Sequence, residues 1–219
     1  MRFAAFETSS EWCSVALYVD GELRALERRA GNRHSELALP MLERLLADAG
    51  LAPAALDAVA YGAGPGSFTG LRIACGLAQG LAVARALPVY GVSSLAAMAQ
   101  ESGAQRVVAC IDARMREVYY AALERTPAGW REVIGTRCVA PQALTVPPGD
   151  DWIGCGNGFA VYGNFGLRTV LPMVHPTALA VAQLAAPRLA AGEGVDAALA
   201  TPFYVRDKVA FTREELGQP

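Results

Sequence analysis

The chain has 219 residues, of which 53% are hydrophobic and 18% charged, and its formal net charge is −2. This composition excludes an intrinsically disordered protein, and the length allows one large domain or two small ones. The longest apolar run is shorter than the roughly 18 residues that a membrane-spanning helix requires, so we expect a cytoplasmic protein without a membrane anchor. The five cysteines form no C-x-x-C pair, which favours reduced thiols over a disulfide framework or a zinc ribbon.

The basic residues exclude several enzyme classes. Of the 19 lysines and arginines, only Lys208 is a lysine. A Walker A loop and a pyridoxal Schiff base each require a lysine in the site, so neither is predicted. The near-neutral net charge also disfavours a general basic surface that would bind nucleic acid by neutralising phosphates.

Turn and helix signals divide the first part of the chain into six elements. Asp20-Gly21 is a two-residue hairpin signal, and Ser35 is predicted as the N-cap of a helix that contains Pro40 and ends before Gly50. The predicted elements are strands at residues 2–8, 12–19 and 22–30, a helix at 35–49, a strand at 57–61 and a helix at 71–86. This order is typical of a ribonuclease-H-like α/β layer, whereas a Rossmann unit would begin βαβ.

A second, strand-rich part follows Pro88. The predicted elements are a helix at 94–100, strands at 106–112, 117–124 and 130–137, and a last helix at 176–191. Pro176 is predicted at the first position of that last helix, where its missing N–H costs nothing. A glycine pattern at residues 154–158 mimics a dinucleotide fingerprint, but no βαβ context surrounds it, so we assign it no role.

The loop before the second predicted helix is the most distinctive local feature. Gly64, Gly66 and Gly70 permit an unusual turn, and Ser67 and Thr69 supply hydroxyl groups. Backbone N–H groups that converge at a helix N-terminus can bind an anion. The alternative is a tight β–α turn in which one of the two hydroxyls caps the helix. The pattern leaves both interpretations open.

The end of the first strand places a carboxylate beside hydroxyl groups, at Glu7, Thr8 and Ser9. Glu7 could hold a metal ion near a phosphate, and an ordinary polar turn is the alternative. The two histidines, His34 and His175, form no H-x-x-x-H pair, and no G-x-S-x-G nucleophile elbow is present. We therefore predict no catalytic residue and no metal site.

The two long helices of the first part are more apolar than a one-sided surface helix requires. In the first, the leucines and the methionine between residues 37 and 46 cover an arc of roughly 200°, about twice the usual stripe. The second carries Gly76, Gly80 and Ala84 at four-residue intervals, a strip of small residues that would let another backbone approach closely. We expect either the second part of this chain or a partner protein to cover these faces.

Several motifs together resemble one family. They are Phe6-Glu7-Thr8-Ser9, His34-Ser35, Gly64-Pro65-Gly66-Ser67-Phe68-Thr69-Gly70-Leu71-Arg72, Gly91-Val92-Ser93-Ser94-Leu95, Asp112-Ala113-Arg114, Glu117-Val118-Tyr119, Tyr204-Val205-Arg206 and Val209-Ala210. On these motifs, the chain resembles the bacterial TsaB (YeaZ) family over nearly its whole length.

The resemblance implies an α/β fold of the ASKHA (actin-like, sugar-kinase-like) type with two related halves, here residues 1–101 and a smaller, reduced half at 102–219. It implies a non-catalytic subunit in the synthesis of N6-threonylcarbamoyladenosine in tRNAs that read codons beginning with A. The implied partners are the transferase TsaD, which carries an H-x-x-x-H metal site, the ATPase TsaE near their interface, and a second copy of the chain in the absence of TsaD. Contact with tRNA would be indirect.

The resemblance and the helix pattern together assign two sets of residues. The expected partner or dimer interface comprises Leu37, Met41, Leu45, Arg72, Ile73, Gly76, Gln79, Gly80 and Val83. The vestigial anion or nucleotide loop comprises Glu7, Thr8, Ser9, Gly64, Gly66, Ser67 and Thr69. No cofactor is expected beyond vestigial nucleotide binding.

One departure bears on that loop, because the family usually has Asp where this chain has Glu7. The extra methylene would shift a carboxylate that bridges to a metal ion, which weakens the case for nucleotide binding. Two enzyme hypotheses stand as alternatives: an ASKHA-type phosphotransferase that uses Glu7 and the glycine loop, and a glycoprotease-like peptidase.

Overall fold

The computed structural model describes residues 1–206, so Lys208 and the Val209-Ala210 motif lie outside the described residues. The first half contains five strands and three helices. The strands are β1 (Arg2–Glu7), β2 (Trp12–Val19), β3 (Glu22–Arg29), β4 (Ala58–Gly64) and β5 (Val89–Ser93). The helices are α1 (His34–Asp48), α2 (Phe68–Val83) and α3 (Ser94–Glu101).

Residues 102–206 of the second half also form five strands, with one six-residue helix before the longer last one. The strands are β6 (Arg106–Asp112), β7 (Val118–Thr126), β8 (Gly129–Val139), β9 (Ile153–Cys155) and β10 (Thr169–Leu171). The helices are α4 (Asn157–Tyr162) and α5 (Ala178–Ala190). Single 3-10 turns occur at Pro53–Ala55, Pro141–Ala143 and Ala197–Leu199.

The two sheets have the same topology. The first has the order β3-β2-β1-β4-β5, and the second, followed from its opposite edge, has the order β8-β7-β6-β9-β10. In each sheet the first three strands in chain order pair antiparallel and the last two add in parallel. This duplication is the ASKHA fold with two related halves that the resemblance implied. The second half is reduced because a 3-10 turn stands in place of α1 and the six-residue α4 in place of α2.

Packing crosses between the halves. Helix α5 belongs to the second half by chain order but packs on β1, β2, β4 and β5 of the first sheet. Helix α3, from the first half, contacts β6 and β7 of the second sheet as well as α5. Each sheet is therefore completed by a helix from the other half of the sequence.

Helix ends differ from the predicted ones by a few residues. Helix α1 begins at His34, so Ser35 lies inside its first turn, and the helix continues through Pro40. Helix α2 begins three residues earlier than predicted, because the Ser67 hydroxyl accepts a hydrogen bond from the Gly70 N–H and caps it. Helix α5 is capped by Thr177, so Pro176 lies outside the helix and not at its first position.

Four short elements were not predicted: β5, β9, β10 and α4. None is longer than six residues, which is too short for a periodic pattern to stand out. The glycine pattern at residues 154–158 spans the junction of β9 and α4, where a Cβ at Gly154 would lie 2.6 Å from the Phe159 ring. Close packing explains this glycine without a nucleotide. Among residues 1–206, no helix is long and apolar enough to cross a membrane.

Candidate functional site

The loop between β4 and α2 is packed against the turn that follows β1. The Ser67 N–H donates to the Ser9 carbonyl over 2.8 Å, and the Thr8 hydroxyl donates to the Gly70 carbonyl over 2.7 Å. A Cβ at Gly66 would lie 2.6 Å from the Ser9 Cβ, and one at Gly70 would overlap the Thr8 carbonyl group. Gly66 and Gly70 are therefore required by close backbone approach, as the tight-turn alternative predicts. Gly64 lies at φ +116° beneath the Phe203 carbonyl, and Thr69 is exposed.

Glu7 is fully buried beneath this loop. One carboxylate oxygen accepts the Ser9 N–H over 2.6 Å, and the other accepts the Ser94 hydroxyl over 3.2 Å. Burial raises the pKa of Glu7 above its usual value, and the hydrogen bonds from Ser9 and Ser94 oppose that shift. Each carboxylate oxygen of Glu7 thus accepts a hydrogen bond from the protein, and the group is buried from solvent.

The C-terminal part of the described chain covers the glycine loop. The Phe203 N–H donates to the Ala63 carbonyl over 2.7 Å. Residues 203–206 and Tyr119 of the second half line a small cavity together with Pro65 and Phe68. Residues 203–206 thus lie beside the glycine loop, between it and Tyr119 of the second half.

One face of α2 is uncovered by the part of the chain that the structure describes. Apart from the helix's own backbone, no atom of residues 1–206 lies within 4 Å of where a Cβ would stand at Gly76 or Gly80. Ile73 is half-buried on the same face, and the side chain of Val83 is 70% exposed. Residues 73, 76, 80 and 83 recur at the spacing of one helix face. We call these four residues the open face of α2.

The structure corrects part of the predicted interface. Met41 and Leu45 belong to the core of this chain, and Leu37 is half-buried against that core. Because α1 packs on β2, β3 and α2, its wide apolar arc is mostly covered within the molecule. Gln79 is not free either, since its amide donates to two carbonyl oxygens of the segment that follows α5.

Arg72, the remaining predicted interface residue, is exposed but ordered by its neighbours. Its Nε donates to the Tyr204 hydroxyl over 3.0 Å, and its guanidinium lies 3.8 Å from the centre of the Phe68 ring. The rings of Phe68 and Tyr204 are 5.4 Å apart. This cluster, the Arg72 cluster, stands at the N-terminal end of α2.

The two histidines occupy separate places. His34 Nε2 lies 3.0 Å from the Ser10 carbonyl oxygen. His175 stacks on Trp12 and pairs with Glu27, whose hydrogen bond raises the pKa of His175. In residues 1–206, no group of three His, Cys, Asp or Glu side chains is arranged to hold a metal ion.

An ion pair joins two of the sequence motifs across the fold, and no role was predicted for either of its residues. Arg206 of the Tyr204-Val205-Arg206 motif forms an ion pair with Glu117 at the start of the Glu117-Val118-Tyr119 motif. The two residues are 89 positions apart, so no local pattern connects them. In the sequence, only their opposite charges indicate that these two residues form a pair.

Known proteins of similar sequence identify the family. Residues 28–210 match the family model described as TsaD: tRNA N6-adenosine threonylcarbamoyltransferase. The chain is 37% identical over 228 residues to the tRNA threonylcarbamoyladenosine biosynthesis protein TsaB of Haemophilus influenzae, with 97% of each chain covered. It is 36% identical over 226 residues to the protein of the same name from Escherichia coli, covering 97% of this chain and 98% of the relative.

Solved structures agree with the sequence comparison. YeaZ from Pseudomonas aeruginosa matches with a TM-score of 0.88 at 40% identity, over 93% of this chain and 99% of that one. A second Pseudomonas aeruginosa structure, described as an uncharacterised protein with similarity to the peptidase YeaZ, matches with a TM-score of 0.89 at 39% identity, over 94% of this chain and 99% of that one. The resemblance drawn from the motifs is confirmed: the chain belongs to the TsaB (YeaZ) family.

Proposed function

We propose that this chain is a cytoplasmic, non-catalytic subunit of tRNA threonylcarbamoyladenosine biosynthesis that binds and activates TsaD. The product is N6-threonylcarbamoyladenosine at position 37 of tRNAs that read codons beginning with A. The proposal is supported by identity of more than a third, over almost the full length, with proteins named for that pathway. TsaE would join near the interface with TsaD, and contact with tRNA would be indirect.

The observation that carries the proposal is the open face of α2. Gly76 and Gly80 leave a flat strip on which a second helix can approach to the close end of the usual 8–10 Å interaxial range. Ile73 and Val83 flank the strip with apolar side chains. A stable interface buries on the order of 1,600 Å² in total, so the neighbouring surface of α1, including the exposed Leu39, would contribute as well.

The state of Glu7 supports a non-catalytic role over phosphotransfer. Its carboxyl group is fully buried, and its two oxygens accept hydrogen bonds from Ser9 and Ser94. Close backbone packing and residues 203–206 surround the glycine loop in front of it. We infer that the loop positions the start of α2 and does not bind a nucleotide.

The decisive experiment is reconstitution of tRNA threonylcarbamoylation. Purified TsaD, TsaE and the enzyme that makes threonylcarbamoyl-adenylate would be combined with tRNA, with and without this chain. We expect modified adenosine to accumulate only when the chain is present. Equal modification in both mixtures would refute the proposal, and binding of ATP and magnesium at submillimolar concentration would favour the phosphotransferase instead.

The same face should allow self-association when TsaD is absent. Closed two-fold dimers are the commonest homo-oligomers, and a helix face with small residues at its centre is self-complementary across such an axis. Light scattering on the chain alone should therefore show a dimer that dissociates as TsaD is added. A dimer that persists in the complex with TsaD would show that the two contacts use different surfaces.

A further inference from the structure

The segment after α5 runs along the first half and ends at the second half. We propose that residues 197–206, here called the C-terminal clasp, hold α2 in position for docking, and that the Arg206–Glu117 ion pair fastens the clasp to the second half. This inference rests on the proposed function, because it assigns a positioning role for the TsaD-binding helix. It makes Arg206 a positioning residue that need not contact the partner.

The first part of the clasp is hydrogen-bonded along α2. The Gln79 side-chain amide donates to the carbonyl oxygens of Ala197 and Ala200 over 3.2 and 3.0 Å. The Cys75 thiol donates to the same Ala200 oxygen over 3.4 Å. Ala197 and Ala200 are themselves buried in the first core. The inner side of α2, next to its open face, is thus fixed by the clasp.

The middle of the clasp is fixed to β4. The Tyr61 hydroxyl donates to the Thr201 carbonyl over 2.9 Å, and the Phe203 N–H donates to the Ala63 carbonyl over 2.7 Å. Tyr204 then accepts the hydrogen bond from Arg72 in the Arg72 cluster. Contacts with α2 and β4 therefore alternate along the clasp from residue 197 to residue 204.

The end of the clasp enters the second half at Arg206, whose side chain is only 12% exposed. Its guanidinium forms an ion pair with Glu117 and lies 5.7 Å from the centre of the Tyr119 ring. It also lies 3.5 Å from the Arg114 carbonyl oxygen and 3.4 Å from the Met115 sulfur. A partly buried arginine with a carboxylate partner is costly to unpair, so this contact is a strong fastening point.

The hairpin that receives Arg206 has an unusual backbone. Residues 114, 115 and 116 have φ values of +61°, +55° and +58°, a left-handed run that non-glycine residues rarely adopt. The run turns the Arg114 carbonyl toward the Arg206 guanidinium. Asp112 supports it by accepting the Arg114 N–H over 3.0 Å. Backbone strain of this kind persists only where the surroundings enforce it, and Arg206 is part of those surroundings.

The test is a charge exchange across the ion pair. Arg206→Glu and Glu117→Arg would be made singly and together, with Arg188→Glu as a matched control, because Arg188 pairs with Glu193 at an exposed site on α5. Affinity for TsaD would be measured by titration calorimetry. Hydrogen exchange at the Phe203 amide, measured without TsaD, would report release of the clasp. Far-ultraviolet circular dichroism would confirm that each variant folds.

We expect each single variant to lose at least ten-fold in TsaD affinity and to exchange the Phe203 amide at least ten-fold faster. The double variant should recover part of both values, because the ion pair is restored with its charges exchanged while the contact with the Arg114 carbonyl oxygen is not. The proposed role of the clasp would be refuted if the single variants kept wild-type affinity and amide exchange, or if the double variant recovered neither. Arg188→Glu should match the wild type. A similar loss of TsaD affinity in Arg188→Glu would attribute the effect to the change in net surface charge and would count against the clasp.

Tyr204→Phe provides a second, gentler variant in case the charge reversals unfold the protein. It removes only the hydroxyl that accepts the Arg72 hydrogen bond, and we expect a two- to five-fold loss of affinity with unchanged melting temperature. Unchanged affinity would overturn the link between the clasp and α2. The two proposals remain distinguishable: no TsaD binding by the wild type would refute the proposed function, while amide exchange would still decide whether the clasp exists.

Discussion

Two pairs of glycines lie within fifteen residues of each other and differ in what surrounds them. Gly66 and Gly70, in the loop before α2 and in its first turn, face the turn after β1, and a Cβ on either would collide with Ser9 or Thr8. Gly76 and Gly80, in the middle of α2, face no atom of residues 1–206 within 4 Å. The packing of the described residues explains the first pair but not the second.

The difference bears on which glycine-rich feature the proposed partner would contact. A glycine in a helix interior costs about 1 kcal/mol relative to alanine, so two exposed ones weaken α2, and no contact among residues 1–206 compensates. A partner backbone at close range would supply such a contact. The loop glycines form the more conspicuous motif in the sequence, but they allow two segments of this chain to pack closely together.

The largest effect is expected from Gly70→Ala. The new methyl group would overlap the Thr8 carbonyl oxygen and stand 2.9 Å from the Thr8 carbonyl carbon. Neither atom can move without breaking the end of β1, so we expect a loss of 3 kcal/mol or more in the free energy of unfolding, at the upper end of the usual cost of overpacking. Urea denaturation would measure it. Wild-type stability would show that the loop is looser than its contacts indicate.

A smaller effect, on affinity and not on folding, is expected from Gly80→Leu. The leucine side chain would project from the open face of α2 and keep a docked helix at a distance. We expect TsaD binding to weaken by about 1–3 kcal/mol, which is about 5- to 150-fold. Titration calorimetry would measure it.

Two controls separate that effect from changes in the helix itself. Gly80→Ala should stabilise the monomer by up to about 1 kcal/mol, because alanine favours the helix and nothing lies near its methyl group. Ala190→Leu places the same side chain at an exposed position of α5, and binding should not change. If Gly80→Leu left both TsaD binding and self-association unchanged, the assignment of this face as the interface would be wrong.

The sequence predicted the first sheet well because its turn signals are strong and local. Asp20 and Gly21 adopt the positive φ values that a tight hairpin requires, and β2 and β3 pair without a register shift. The small strip on α2 was also recognised, since spacing along one helix is a local property. β5, β9, β10 and α4 were missed because elements of three to six residues carry too little periodicity.

Sequence reasoning failed where the answer depended on distant parts of the chain. The apolar arc of α1 was assigned to a partner, but β2, β3 and α2 cover Met41 and Leu45 within the molecule. The two interpretations of the glycine loop could not be separated, because Thr8 and Ser9 lie about sixty positions away in the chain. Arg206 and Glu117 are farther apart still, and only the fold brings them together.

The smallest effect is expected from Glu7→Gln, which tests whether the space beneath the glycine loop is closed. A buried carboxyl has a raised pKa, so its contribution to stability is complete below the pKa of the unfolded chain, near 4.5, and is lost as pH rises through the folded-state value. Glutamine keeps an oxygen for the Ser9 N–H but does not titrate. The free energy of unfolding of the variant, relative to that of the wild type, should therefore rise between pH 4.5 and pH 8. Urea denaturation across that range would measure it. A constant difference in the free energy of unfolding would mean that Glu7 has the same pKa in the folded and unfolded chains. That result is expected of a carboxylate in an open, solvated anion site. The contrast between a closed loop and an open helix face would then no longer hold.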